Sequence, residues 1–253
     1  MDVTPLAHAL LVFAAFLAGV VDAIAGGGGL LTLPALIAAG LPPHLALGTN
    51  KGQSVFGSAA ALWRFAREKR IDARLAARTF PLGLVGSLAG AGAVLLVPPA
   101  VLRPLVLVLL LAAAAVVALR RPSDTGPRSP VSWAAWGAPA AALLLGAYDG
   151  FFGPGTGTFL IVAWVTLLGR SLTDASADAK VVNVASNLAA VGIFAAHGDV
   201  AWSVALPMAA AQFAGGSLGA HLAVRGGDAV VRRVVLAVVT ALVTKLSWDL
   251  YAG

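Results

Sequence analysis

The chain is dominated by apolar runs that are about as long as a lipid bilayer is thick. A helix of ~20 residues spans a hydrocarbon core of ~30 Å, and lipid tolerates only backbone whose polar groups are satisfied internally. The sequence therefore predicts an all-α, polytopic transmembrane helical bundle. Its ten predicted segments are residues 6–25, 30–41, 44–65, 75–97, 101–119, 132–152, 156–168, 175–196, 200–224 and 229–250.

Composition supports a membrane environment and excludes several kinds of site. Apolar residues make up 59% of the 253-residue chain and charged residues only 11%, whereas a soluble domain carries about 25% charged residues. The basic residues lie in short gaps between apolar runs, so we expect lipid and not nucleic acid as the partner. The chain has no cysteine, and its 4 histidines lack metal-ligand spacing. We expect no cofactor and no metal.

The basic residues also predict sidedness, because Lys and Arg in short loops are retained in the cytoplasm. The loops 98–103 and 197–199 hold a single basic residue, Arg103, and are predicted to be external. This alternation places the N- and C-termini outside. The basic residues assigned to the cytoplasmic side are Arg64, Arg67, Lys69, Arg70, Arg74, Arg78, Arg120, Arg121, Arg128, Arg170, Arg225, Arg232 and Arg233.

Two motifs occur in both halves of the chain. Asp22 precedes a run of glycines by four residues, and Asp149 precedes a second glycine-rich run in the same way, at an offset of 127 residues. Lys51 matches Lys180 at an offset of 129. Since the first half starts outside and the second in the cytoplasm, we predict two inverted five-segment repeats in one membrane domain. Their bounds are 1–125 and 126–253. Inverted repeats are typical of alternating-access transporters.

The segments 30–41 and 156–168 are too short to cross an unthinned bilayer, so each is predicted to be half of a broken hairpin. The glycines before them must line a cavity or be buried by protein. Each restarting helix would direct free N–H groups and a positive dipole end into the break, which favours an anion. Close helix packing is the alternative role for the glycines. The backbone positions assigned to this site are Gly27, Gly28, Gly29, Gly155 and Thr156.

Lys51 and Lys180 lie inside their segments, where a charge costs roughly 2.5–3.5 kcal/mol and therefore implies a partner. One interpretation makes them cations for a transported anion. The other is an internal ion pair with Asp22 or Asp149, and both can hold in different states. The polar residues expected to assist the lysines are Thr49, Asn50, Gln53 and Ser54 in the first half, and Asn183 and Asn187 in the second.

Asp22 and Asp149 each lie about one helical turn before the chain opens. A buried carboxylate of this kind suits a proton carrier. Alternatively, each carboxylate accepts hydrogen bonds from the free backbone N–H groups across its break. The sequence leaves both roles open.

These motifs resemble the sulfite exporter TauE/SafE family. The resemblance rests on GVVDAIAGGGGLLTLPAL at 19–36, LGTNKGQSVFGS at 47–58, GAYDGFFGPGTGTFL at 146–160 and ADAKVVNVASN at 177–187. It implies a multi-pass transporter of the bacterial inner membrane that exports sulfite, sulfonates or related organic anions. Asp178 stands where the first half has Thr49, so the two half-sites are not chemically equivalent.

The resulting hypothesis is a secondary transporter, not an enzyme, that exports a small anion such as sulfite or an organosulfonate by alternating access. Proton coupling through Asp22 or Asp149 is a further hypothesis, and a homodimer is left open. One alternative is a passive anion channel. The other is an intramembrane aspartyl protease, suggested by Tyr148-Asp149 and by Pro-Ala-Leu at 34–36. That tripeptide comes before the Tyr-Asp pair, which argues against the protease.

Overall fold

The computed structural model describes the backbone of residues 4–119 and 129–252, and the side chains of 4–116, 129–234 and 237. Within these residues every regular element is a helix. Their order is α1 (Pro5–Ala25), α2 (Gly29–Ala38), α3 (Pro43–Arg67), α4 (Ala73–Leu95), α5 (Pro99–Leu119), α6 (Ala134–Phe151), α7 (Thr156–Leu168), α8 (Leu172–Ala196) and α9 (Trp202–Ala252). Arg120, Arg121, Arg128 and the predicted boundary between 125 and 126 lie outside the described residues.

Each predicted segment coincides with a helix, and the all-α membrane bundle is confirmed. Four of the described helices are long and apolar enough to span a bilayer: α1, α4, α8 and residues Pro99–Val116 of α5. The two segments predicted to be short form α2 and α7, of 10 and 13 residues. The last two predicted segments form the single element α9, which is interrupted at Gly227, where φ is +56°.

Helices α3 and α8 form the centre of the bundle. About 67% of the apolar window of α8 is buried, against 22–39% for the other candidate spans. The two central helices run antiparallel, since Gly48 near the start of α3 approaches Asp199 just after α8. At the other end, the backbone N–H of Asp72, just after α3, donates to Asp178 near the start of α8.

Helices α1 and α9 pack together on one side of this centre, and α4 and α6 on the other. Small residues allow close contact, as is common between membrane helices. A Cβ atom on Gly90 of α4 would lie 2.0 Å from the carbonyl oxygen of Ala147 in α6. The outer helices therefore hold the central pair through direct backbone contacts.

Candidate functional site

The two glycine breaks meet in the middle of the bundle. Gly26 follows α1 with φ of +72°, and Gly153 and Gly155 precede α7 with φ of +102° and +87°. These are left-handed conformations that favour glycine. A Cβ on Gly26 would lie 2.2 Å from the backbone of Gly157 and Thr158. Each break is thus covered by the other, as irregular backbone at membrane depth requires.

The two intramembrane lysines form ion pairs that cross between the halves of the chain. Lys51 Nζ lies 2.8 Å from Asp149 Oδ1, and Lys180 Nζ lies 2.8 Å from Asp22 Oδ2. The lysine side chains are 2% and 0% exposed. The ion-pair alternative therefore describes this state of the protein, and each half of the chain supplies the carboxylate that neutralises the other half's lysine.

Each carboxylate has a second hydrogen-bond donor. Asp22 Oδ1 accepts from the backbone N–H of Gly28 at 3.3 Å, across the first break. Asp149 Oδ2 accepts instead from the hydroxyl of Ser186 in α8. The interpretation that an aspartate bonds backbone across its break thus holds for Asp22. Ser186 was not identified from the sequence, because its counterpart at the offset of 129 is Gly57 and the repeat gives no signal for it.

Amide side chains extend this network along α3 and α8. Asn50 Oδ1 accepts from Thr32 Oγ1 at 2.6 Å and from Gln53 Nε2 at 3.1 Å. Asn187 Oδ1 accepts from Lys51 Nζ at 3.3 Å. Asn183 is buried, and within the described part of the chain its Oδ1 has no hydrogen-bond partner. The site therefore contains one amide oxygen that can accept a hydrogen bond from a bound group.

A cavity of about 30 Å³ lies between the breaks and the ion pairs, enough for two or three water-sized groups. Most of the residues assigned to the site from sequence line it. They are Asp22, Gly27, Gly29, Asn50, Lys51, Ser54, Asp149, Gly155, Thr156, Asn183 and Asn187. Gly153 and Gly157 also line the cavity and were missed as individual positions, although the glycine-rich break that contains them was identified.

The remaining assigned residues lie just behind the cavity wall or away from it. Gly28 and Lys180 contact the cavity residue Asp22, and Gln53 contacts Asn50. Thr49 bonds to a group outside the cavity. Its Oγ1 accepts from the backbone N–H of Ala201, just before α9, at 3.0 Å. We place Thr49 in a contact between helices and not in the cavity wall.

The arrangement does not match that of an aspartyl protease. In aspartyl proteases two carboxylates share one proton, whereas here a lysine ammonium lies 2.8 Å from each aspartate. Among the described residues, no group of three His, Asp or Glu side chains is placed to hold a metal ion. The site offers two buried ion pairs, each between a lysine and an aspartate.

Comparison with known proteins identifies the family of membrane proteins to which this chain is similar. The family model for "Sulfite exporter TauE/SafE" matches residues 11–246. The probable membrane transporter protein YfcA of Escherichia coli (strain K12) is 37% identical over 253 residues, covering 98% of this chain and 92% of the relative. The probable membrane transporter protein ORF9 of a Sinorhizobium species is 37% identical over 242 residues, with 95% and 92% covered.

A probable membrane transporter protein of Haemophilus influenzae is 35% identical over 242 residues, covering 95% of this chain and 94% of the relative. No solved structure matches the chain significantly. The family match covers nearly the whole chain and includes both breaks and both lysines. The chain therefore belongs to the sulfite exporter TauE/SafE family and is a multi-pass membrane transporter.

Proposed function

We propose that this protein is a secondary transporter that exports a small anion, sulfite or an organosulfonate, across the bacterial inner membrane by alternating access. The observation that carries this proposal is the pair of buried lysines, each held by a carboxylate of the other half beside a shared cavity. The cavity of about 30 Å³ holds two or three water-sized groups, so the site must widen to admit sulfite and widen further for a sulfonate. The resemblance to the family supports the sulfite and sulfonate class.

The balance of charge in the site supports a proton-coupled mechanism. Each of the two ammonium groups is paired with one carboxylate, so the site is neutral, and we infer that an anion binds a lysine by displacing its carboxylate. A displaced carboxylate that stays buried and charged is strongly unfavourable. Uptake of a proton by Asp22 or Asp149 removes this penalty. Binding of one anion is then linked to binding of one proton.

Alternating access would use the two halves as inverted repeats, 1–125 and 126–253, with both termini external. The packing supports this proposal, because α1 with α9 and α6 with α4 form equivalent pairs under the repeat. Gly19 contacts Gln212 in the first pair and Gly146 contacts Gly83 in the second. These two contacts are related by the offsets of 127 and 129 residues that relate the motifs.

Flux in proteoliposomes tests the function. Sulfite or a short sulfonate should move down its gradient with saturable, trans-stimulated kinetics. Lys51→Ala or Lys180→Ala should each slow the flux by about tenfold or more, because a hydrogen bond to a charged group contributes roughly 1.5–3 kcal/mol. Linear, non-saturable flux would favour a channel. Unchanged flux in both variants would remove the lysines from the anion site.

A further inference from the structure

Two hydrogen bonds at opposite ends of the α3/α8 pair are equivalent under the repeat. Asp178 Oδ1 accepts from the backbone N–H of Asp72 at 2.9 Å. Thr49 Oγ1 accepts from the backbone N–H of Ala201 at 3.0 Å. Positions 49 and 178 are separated by 129 residues, as are positions 72 and 201. In both cases a side chain near the start of one central helix binds the backbone just after the other.

The two bonds differ in charge. At the end that contains Asp178, Arg170 donates to Asp178 Oδ2 from Nε at 2.9 Å and from Nη2 at 2.6 Å. Arg170 Nη2 also lies 3.6 Å from the carboxylate of Asp72. The repeat counterpart of Arg170 is Leu41, and that of Asp178 is Thr49. One end is thus closed by a charge-assisted contact, in which two guanidinium N–H groups donate to one carboxylate oxygen, and the other end by a neutral hydrogen bond.

The environment keeps the charged contact intact. Partial burial lowers the pKa of Arg170, but the hydrogen bond to Asp178 and the negative charges of Asp178, Asp72 and Asp174 together outweigh this effect and raise the pKa above its ordinary value. The guanidinium therefore stays charged at physiological pH. Asp178 is only 2% exposed, so solvent screens the pair weakly.

The same end has further contacts across the helices. The carboxylate of Asp228, next to the interruption of α9, accepts from the backbone N–H of Thr173 at 2.8 Å and from its hydroxyl at 2.6 Å. Arg70 lies 3.4 Å from Asp174. The counterpart of Asp228 is Pro99, which cannot make the equivalent bond. The charged end is therefore held together by several contacts between helices.

We propose that Asp178 and Arg170 form a latch that closes the cytoplasmic side of the transporter, and that Thr49 and Ala201 form its weaker external counterpart. This inference rests on the alternating-access function proposed above. Charge-assisted hydrogen bonds are roughly twice as strong as neutral ones. The unequal latches make the external end of the unloaded protein the easier one to open.

The absence of cysteine from the chain makes the proposal directly testable. Ser54→Cys places a single thiol at the cavity, and its rate of reaction with a membrane-impermeant maleimide is measured in right-side-out and inside-out vesicles. The protein that carries only Ser54→Cys, which is the parent of the variants below, should react faster from the outside. Asp178→Asn and Arg170→Gln should each raise the rate from the cytoplasmic side by roughly tenfold, as expected for loss of a charge-assisted hydrogen bond.

Two further variants make the test symmetrical. Asp178→Thr combined with Arg170→Leu gives these two positions the residues of the external end and should reduce the difference between the two rates, although the contacts of Asp228 and Arg70 remain. Thr49→Val, which breaks only the external bond, should increase the external preference. Arg78→Gln removes an exposed guanidinium at the same end as Arg170 and should leave both rates unchanged.

Unchanged rates in Asp178→Asn, Arg170→Gln and the combined variant would overturn the latch. A rise in these variants of the outside rate, and not of the cytoplasmic rate, would also overturn it. Sulfite flux measured on the same proteins separates this proposal from the function. Normal flux with unchanged labelling would reject the latch alone. A change in the sidedness of labelling without sulfite flux in the parent would reject the substrate and retain the latch.

Discussion

The crossed ion pairs determine how much each lysine contributes to the stability of the fold. A buried pair gains attraction but loses hydration, so replacing both partners with neutral groups is often close to neutral for stability. Removing one partner alone leaves an uncompensated buried charge and costs about 3–5 kcal/mol. Lys180 and Asp22 have side chains that are 0% and 18% exposed. Removing one partner of this pair should therefore be more destabilising than replacing both.

We predict that Lys180→Met lowers the thermal unfolding midpoint in detergent by roughly 10 °C. The broken pair costs about 3–5 kcal/mol, and each kcal/mol shifts the midpoint by about 2–4 °C. Adding Asp22→Asn should recover most of this loss, because no charge is then left unpaired. Transport should stay slow in the double variant, since Lys180 is still missing. Lys69→Met, at an exposed loop lysine, serves as the control. An unchanged midpoint in Lys180→Met would show that the resting protein does not depend on this pair.

At the scale of elements, the broken hairpins form because each break is supported by the other. Thr158 Oγ1 in α7 donates to the carbonyl oxygen of Ala25 at the end of α1, at 2.9 Å. Ser176 in α8 donates to the carbonyl oxygens of Ala23 and Ile24, both at 2.9 Å. The last carbonyls of α1, which lack intrahelical partners, thus receive donors from the second half.

We predict that Gly26→Ala is much more destabilising than Gly40→Ala. Both glycines have positive φ, +72° and +93°, and a β-carbon there costs about 1–2 kcal/mol. At Gly40 the added atom meets nothing within 4 Å, whereas at Gly26 it would lie 2.2 Å from backbone. Gly26→Ala should therefore cost roughly 3 kcal/mol or more. Equal unfolding midpoints for the two variants would contradict the contact between the breaks.

The helices and the breaks could be predicted because their causes are local. Apolar length specifies the spans, and the glycines mark where a helix must stop. The partner of each lysine could not be predicted, since pairing Lys51 with Asp149 depends on how the two halves dock. Ser186 and Asp228 were missed for the same reason: each acts on a group distant in sequence and has no counterpart in the repeat.

At the scale of the whole molecule, three of the gaps assigned to the cytoplasm meet at one end. Arg70 after α3 contacts Asp174 at the start of α8, and Arg170 after α7 contacts Asp72 before α4. Asp228 at the interruption of α9 binds the first turn of α8. Gaps that are far apart in the sequence thus share one surface, as the positive-inside assignment requires.

Sidedness itself is tested by labelling in intact cells. His197→Cys, in the exposed loop between α8 and α9, should react with an impermeant maleimide without permeabilisation, because this loop is predicted to be external. Lys69→Cys, in the loop between α3 and α4, should react only after the membrane is opened, since that loop is among the most basic gaps in the sequence. Both positions are exposed, so burial cannot account for a difference. The reverse pattern would invert the whole topology and place the Asp178–Arg170 latch outside the cell.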